Sequence, residues 1–583
     1  MAVYSNRLHL SSVLLALAAG ACLPSASPTP ATSAPTTSAI SPTPTQLPAP
    51  RPTQTPPDHR FGVRVVGGVA EFYDRLSGQT FIPRGNNYIR LAYQDAPSGE
   101  RILFHSTFNV GSYDRDRAQQ ALRRMHADGY NTVRVFLNGC CFANALGDPA
   151  GGLSADYIAN LTDFLNIAKA NGIYVLLEPG DLPATGGYIE IMDSTWAQEF
   201  AGNSASYLRS GGLRANIQQW RDLIGELVRQ GAPLDAIFAY DLRNEVFFES
   251  NLPPFSLSSG VVQTANGATY DLASDEDKQR MMDEGLVYWI DSLTAAIVKM
   301  DPSALVTVGF FWPQRPHPAR LGDPRVIETR PAIWESSAHF IDLHPYPGWD
   351  LTLPQYVDNF GMAGMEEKPI IMGEFGAARS SYATEAGAAR ALHDWQVDSC
   401  DYGFDGWLLW TYDTEEQTDF YNGLTGKGLI DQVLMPANRP DPCETGAFDF
   451  FEYNLALGKP AQASRSLPDE PPSGAVDGTT SRWWGAGAFA AQWIQIDLGE
   501  PSIIGVIRLV ITQSPAGNTL HQVWVGPTAD QSYLLHSFEG YTVDGQVLEF
   551  EPDSPVESVR FIKVVTKRSP SWVGWREIEV LAP

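Results

Sequence analysis

The sequence predicts an α/β chain in two folded units, a (β/α)8 barrel followed by an all-β sandwich. Three observations carry this. At 583 residues the chain exceeds one ordinary domain. Between residues 61 and 450 apolar strand-like runs alternate with helical patterns, and strands that alternate with helices form parallel sheets. After Asp441-Pro442-Cys443 the pattern changes to short alternating runs separated by turns, an all-β signal. With 44% hydrophobic and 11% aromatic residues, both units have enough apolar surface for a large core.

In chain order, residues 1–22 have the form of a bacterial export signal. Arg7 lies in a short polar start, and the apolar run Val13 to Ala19 is too short to span a bilayer. Ala19-Gly20-Ala21-Cys22 then resembles a lipoprotein lipobox, with Cys22 as the lipidated residue. Ala19 stands where leucine is usual, and plain signal cleavage is the alternative. Either way the chain is expected to be secreted or anchored at the cell surface, touching membrane only through that lipid. Residues 23–60 are mostly Pro, Thr, Ser and Ala, which bury too little surface to offset their ordering entropy. They are expected to form a disordered linker, and ~35 proline-stiffened residues reach roughly 100 Å.

The larger unit, 61–450, opens with a predicted hairpin, Phe61 to Ala70 and Glu71 to Phe81, placed to cap a barrel floor. Eight strand candidates follow: Phe81–Tyr88, Thr132–Leu137, Ile173–Leu177, Ala236–Leu242, Leu305–Phe310, Phe340–Leu343, Pro369–Met372 and Gly406–Trp410. Amphipathic helices lie between them at Arg115–Ala127, Ser292–Met300 and Thr384–Val397. Eight such units in ~390 residues predict a closed barrel with loop insertions, the longest from Phe247 to Ser274. A doubly wound open sheet competes, but no Gly-rich phosphate loop supports it.

Two glutamates close apolar strands, Glu245 after the fourth and Glu374 after the seventh. In a parallel barrel that rim is where chemistry is done. Two carboxylates facing one sugar are the minimum for cleaving a glycosidic bond: one protonates the leaving oxygen, the other attacks the anomeric carbon. The pattern resembles the retaining glycosidases of clan A, most closely glycoside hydrolase family 5. That resemblance implies Glu245 as general acid/base and Glu374, in Met372-Gly373-Glu374-Phe375-Gly376, as nucleophile. It implies that Asn244 binds the sugar 2-hydroxyl and that Arg134, in Val133-Arg134-Val135, keeps the nucleophile ionised. His344 and Tyr346, in Leu343-His344-Pro345-Tyr346, match a His-x-Tyr after strand 6, and Trp410 matches a tryptophan that stacks under the sugar. Each alone is an ordinary core or loop residue; the order of all of them is the signal.

One position departs from the family pattern. A histidine is common near the end of strand 3, whereas here the strand runs into Glu178-Pro179-Gly180-Asp181. Glu178 is expected either to contact substrate or to be a buried partner of Arg134. The implied substrate is a β-linked polysaccharide or oligosaccharide, with β-mannan or β-glucan favoured, and catalysis needs no cofactor. Trp312, Trp334 and Trp349 are candidates for lengthening an aromatic cleft, which favours internal cleavage. An exo-acting enzyme on short oligosaccharides and a non-catalytic glycan-binding surface protein remain alternatives.

Residues 454–583 resemble the discoidin, or coagulation-factor C-type, sandwich shared by many family 32 carbohydrate-binding modules. The matching segments are Asn454 to Pro460, Ala475-Val476-Asp477-Gly478 with Trp483-Trp484, Trp493 to Gly499, and Trp575 to Val580. The resemblance implies a structural calcium held by Asp477 and Glu577, since hard cations take oxygen ligands; an ion-free Asp-Gly turn is the alternative. Trp572 or Trp484 would stack on sugar, with Trp483, Trp493 and Trp575 in the core. Cys400 and Cys443 make a plausible staple, a free thiol pair being the other reading, and no Cys/His cluster has zinc spacing. The formal net charge of -27 argues against a nucleic-acid partner, because phosphate would be repelled.

Overall fold

The computed structural model describes residues 58–95, 101–139, 145–311, 325–326, 329–349 and 351–583. The expected export signal with Cys22, most of the expected linker, Cys140, Cys141 and Trp312 lie outside the described residues. No described helix is long and apolar enough to cross a membrane.

Eight parallel positions close into a barrel. They are β1 (Arg84–Asn87), β2 (Thr132–Phe136), β3 (Tyr174–Glu178), β4 (Ile237–Asp241), β5, β6 (Ile341–His344), β7 (Ile370–Phe375) and β8 (Gly406–Leu409). β5 is split into Val306–Thr307, which pairs with β4, and Gly309–Phe311, which pairs with β6. The interruption has a local cause. Gly309 donates its N–H to the Arg243 carbonyl at 3.0 Å, and a Cβ there would stand 1.8 Å from the Asn244 carbonyl oxygen. Glycine thus lets the backbone carrying Asn244 and Glu245 lie directly against β5. β8 pairs with β1 at Trp407↔Arg84, which completes the ring.

Every barrel strand is buried along most of its length, so the strands read as continuous apolar runs, as expected where both faces are covered. The floor is plugged by the hairpin Phe61–Val66 and Val69–Asp74. Its Phe61 and Phe72 pack with Leu176, Phe238, Leu305, Phe340, Ile371 and Leu408. The folded unit starts slightly before the expected boundary. His59 is buried, with Nε2 2.6 Å from Asp301 Oδ2 and Nδ1 2.9 Å from the Ile237 carbonyl.

The helix Arg115–Ala127 is capped by Asp114 and buries Ala118, Ala121, Leu122 and Met125, the face the spacing predicts. The expected helix at Ser292–Met300 is only the end of a longer one, Asp275–Met300, capped by Ser274. Its first ten residues are mostly charged, which hid the start; Met281, Met282, Leu286 and Trp289 show which face it buries. In the insertion before it, Phe248, Val262 and Tyr270 pack into the barrel's outer core. Cys400 and Cys443 form a disulfide, with Cα atoms 5.8 Å apart.

The C-terminal region is a sandwich of two antiparallel sheets. One, in spatial order, has Ala461–Ala463, Gln492–Ile504, Val556–Arg568, Gly517–Gly526 and Tyr533–Thr542. The other has Trp484–Gly485, Gly574–Leu581, Val506–Ile511 and Val547–Phe550. Trp484 and Trp575 are fully buried between them, so Trp484 is core and not a sugar platform. Trp493, expected in the core, is half-buried with Lys563 Nζ 4.2 Å from its ring centre. Trp572 is exposed.

Candidate active site

The barrel brings Glu245 and Glu374 together with His344. One ligand atom of each lies within 4.8 Å of the other two. Glu374 sits in β7 itself, whereas Glu245 lies four residues past the end of β4 on the loop that Gly309 admits. Their surroundings differ. The Glu374 side chain is 4% exposed and the Glu245 side chain 15%, so one carboxylate is enclosed and the other faces the opening.

Two donors and a nearby imidazole surround Glu374. Arg134 Nη1 lies 2.5 Å from Oε1, the Tyr346 hydroxyl donates to Oε2 at 2.7 Å, and His344 Nδ1 is 3.7 Å from Oε2. Burial pushes the Glu374 carboxyl above its ordinary range; His344 and Arg134 act against that, and the nearby Glu245 adds to it. Burial would by itself lower the His344 pKa, but Glu374, Asp342 and Glu245 outweigh it, and the imidazole is pushed up to about 10. His344 is therefore a cation at neutral pH, with Nδ1 3.1 Å from Glu245 Oε1. Burial, then Glu374 and Glu245, raise the Tyr346 phenol well above its usual value, so it stays a donor.

Arg134 is fully buried and organises the rest. Besides Glu374 it reaches Asp241 Oδ2 at 2.8 and 3.2 Å and donates to Asn244 Oδ1 at 2.8 Å. With its oxygen engaged, the Asn244 amide keeps its NH2 group for another partner. Among the described residues Glu178 makes no hydrogen bond to Arg134, and it does not face the opening. It is buried, accepting the Asn244 backbone N–H at 3.1 Å and the Gly180 N–H at 2.9 Å, so it anchors the loop that carries Glu245. Burial first, and then Asp241, push its carboxyl up to about 8. The Arg134 carboxylate partners are Asp241 and Glu374 instead.

Several contributors were invisible as motifs. Asn87 on β1 donates to the Gly373 carbonyl at 2.9 Å and accepts from Arg134 at 3.3 Å. Asp342 on β6 accepts the Gly373 N–H at 2.7 Å, and a Cβ on Gly373 would stand 2.1 Å from its Oδ1. Glycine before Glu374 is thus required by that carboxylate. His105 stacks on Phe136 with ring centres 4.4 Å apart, and its Nδ1 has no hydrogen-bond partner among the described residues. A lone histidine in a hairpin carries no sequence signal of this.

The aromatic expectations divide. Trp410 follows β8 and lies with Phe136, Tyr346 and Phe420 in one cluster; it is 4% exposed and its indole N–H donates to Gln417. Trp349 stacks on Tyr346 with centres 4.2 Å apart. Trp334 instead packs against the outer core and donates to the Phe360 carbonyl at 2.7 Å.

The model of the family described as Cellulase (glycosyl hydrolase family 5) matches residues 97–416. The chain belongs to that family. It is therefore a glycosyl hydrolase with a carbohydrate substrate, and the carboxylate pair stands in the matched segment. No curated protein matches the chain. Among solved structures it is similar to an exo-β-1,4-mannosidase from Opitutaceae bacterium strain TAV5, at 18% identity and TM-score 0.41, over 65% of this chain and 62% of that one. It is also similar to the family 32 module of C. perfringens NanJ in complex with galactose, at 19% identity and TM-score 0.20, over 22% and 98%. A chitosan-binding module in complex with chitotriose, from the chitosanase/glucanase of Paenibacillus sp. IK-5, matches at 25% identity and TM-score 0.19, over 22% and 98%.

In the C-terminal sandwich, Glu577 is buried with no hydrogen bond to Oε2 among the described residues, while Oε1 accepts the Gly478 N–H at 3.1 Å. Burial, then Asp477 and Glu579, push its carboxyl well above the ordinary range. Asp477 accepts from Thr479 at 3.0 Å and pairs with Arg482 at 2.7 Å. A carboxylate oxygen without a hydrogen bond beside a second acid is the kind of donor a hard cation takes, while the Asp477 carboxylate is engaged by Thr479 and Arg482.

Proposed function

We propose that this glycosyl hydrolase is a clan A retaining enzyme acting on a β-linked polysaccharide or oligosaccharide, β-mannan or β-glucan favoured. The observation that carries this is the pair Glu245 and Glu374, with oxygens within 4.8 Å across the barrel mouth. Retaining enzymes hold their carboxyl groups about 5–5.5 Å apart, whereas inverting ones leave about 6.5–9.5 Å for a water. Glu374, enclosed by Arg134 and Tyr346, is the nucleophile: its free electron pair attacks the anomeric carbon as the glycosidic bond breaks. Glu245, the more open group, gives its proton to the leaving oxygen and then takes one from the incoming water. The Asn244 amide, its oxygen held by Arg134, offers N–H to the sugar 2-hydroxyl, a bond that strengthens as charge develops. His344 carries positive charge between the two carboxylates and steadies whichever is ionised.

Of the tryptophans expected to lengthen a cleft, only Trp349 reaches the site among the described residues. We therefore infer internal cleavage from an aromatic cleft to which Trp349 contributes, and early product sizes decide it: long fragments mean endo action, mono- or disaccharides exo. We assign the family 32-like resemblance to residues 454–583, with carbohydrate as the ligand and Asp477 and Glu577 as residues that would hold calcium in a structural role. Proton NMR of the first-formed sugar tests the main proposal. The β-anomer is expected, with turnover abolished in Glu374→Ala; an α-anomer from a β-linked substrate would sink it.

A further inference from the structure

The metal-type turn of the sandwich does not face away from the barrel. Thr480 donates its N–H to the Ser381 carbonyl at 3.0 Å, and its hydroxyl donates to the Ser380 carbonyl. The Ser481 hydroxyl donates to the Gly348 carbonyl at 2.7 Å. Ser380 and Ser381 follow β7, and Gly348 lies in the loop after β6. Both loops therefore border the carboxylate pair.

The turn is stiff on its own side. Asp477 Oδ1 accepts from the Thr479 backbone and hydroxyl, Glu577 accepts from Gly478, and Arg576 donates to the Thr480 carbonyl at 3.2 Å. The barrel side is close-fitting. Gly348 has φ +76°, and a Cβ there would stand 2.6 Å from the Tyr382 hydroxyl and 2.9 Å from Ser381 Cβ. One residue further, Trp349 lies nearly parallel to Tyr346, at 13° between planes, and the Tyr346 hydroxyl bonds the nucleophile. A continuous chain of contacts thus runs from the sandwich turn to Glu374.

We propose that the C-terminal sandwich completes the active site of the barrel, with Thr480 and Ser481 as positioning residues that hold the loop after β6 and so set Trp349 as a wall for a sugar ring beside the scissile bond. This rests on the hydrolase assignment for its substrate and goes beyond it in giving the second module a part in the reaction. The module is then more than a tether to insoluble polysaccharide: its loss would weaken turnover of soluble short substrates too.

The test uses the full chain with Thr480→Val and Ser481→Ala combined, and manno- and cello-oligosaccharides as probes. Because the substitutions remove the two hydroxyl bonds of modest net strength and leave only the Thr480 backbone N–H bond to Ser381, KM should rise about three- to tenfold with kcat within about twofold. Hydrogen–deuterium exchange should quicken in 345–349 and 379–383 while the barrel floor exchanges at the parental rate. Should the double variant fail to fold, Ser481→Ala alone removes one hydroxyl and should show the same split, smaller. Parental exchange in both loops overturns the proposal whatever the activity assays give. With Glu374→Ala dead and the parent active, an unchanged KM overturns it as well.

Discussion

Tyr346→Phe removes one atom from the site and little else. The ring keeps its stack on Trp349, since that contact needs no hydroxyl. What is lost is the 2.7 Å donor to Glu374 Oε2. A hydrogen bond to a charged group contributes about 1.5–3 kcal/mol. At about 1.4 kcal/mol per factor of ten, kcat/KM should fall about 10- to 150-fold if the full term is felt in the transition state. The direction on the pH axis follows from the same geometry. Burial already raises the Glu374 carboxyl and the phenol acts against burial, so its removal should raise it further. The acid limb of kcat/KM should then move to higher pH, while Arg134 and His344 still hold the carboxylate in place. Initial rates on an activated aryl β-glycoside from pH 4 to 9, with burst kinetics to separate attack from release of the sugar, measure both effects. A kcat/KM within about threefold of the parent and an unmoved acid limb would refute the assignment of Glu374 as a nucleophile held by this phenol.

Arg134→Met leaves Asp241 and Glu374 buried without their cation, and removing one partner of a buried ion pair costs about 3–5 kcal/mol; denaturant unfolding showing less than about 1 kcal/mol would contradict the network. For His344 the folded pKa of about 10 lies above the usual ~6.5. Its charged form therefore stabilises the fold fully below about pH 6.5, and the contribution is lost as pH rises toward 10. The melting-temperature gap between the parent and His344→Gln should narrow over that window; a constant gap would show that the charge is not what matters. Calcium at a hundredfold excess over its Kd should stabilise the sandwich by about 2.7 kcal/mol, with the shift removed by chelator and absent in Glu577→Gln. A parental thermal profile blind to both calcium and chelator would leave the orphaned Glu577 oxygen without that explanation.

The barrel was legible because its strands are buried on both faces, so each appears as an unbroken apolar run with punctuation at the ends. Boundaries slipped by one to three residues where apolar character continues past the last ladder bond, as at Phe81 before β1 and Trp410 after β8. The split of β5 was not legible, since nothing in Val306 to Phe310 says that Asn244 must press against Gly309. The helix Asp275–Met300 lost its first half to a charged opening turn. Trp484 was misplaced for a related reason: tryptophan is equally suited to a core and to a sugar face, and only the sheet pairing of Trp484 with Trp575 decides.

At the site, residues readable from sequence are those whose chemistry is specific at a strand end: an Asn-Glu pair, a His-x-Tyr, a Gly-Glu. The supporting residues are of common types whose roles exist only across strands. Asp241 matters because β2 and β4 flank β3 in the ring, which brings Arg134 within reach of it, and Asn87 because it ties β1 to the carbonyl of Gly373 before Glu374. Glu178 shows how far such inference reaches. Its position at the end of β3 marked it as part of the mouth, but its two bonds are to backbone N–H groups, so it holds the Glu245 loop and leaves Arg134 to Asp241 and Glu374. A carboxylate's neighbours, not its place along the chain, decide whether it reacts, pairs or braces, and those neighbours are supplied by closure of the ring.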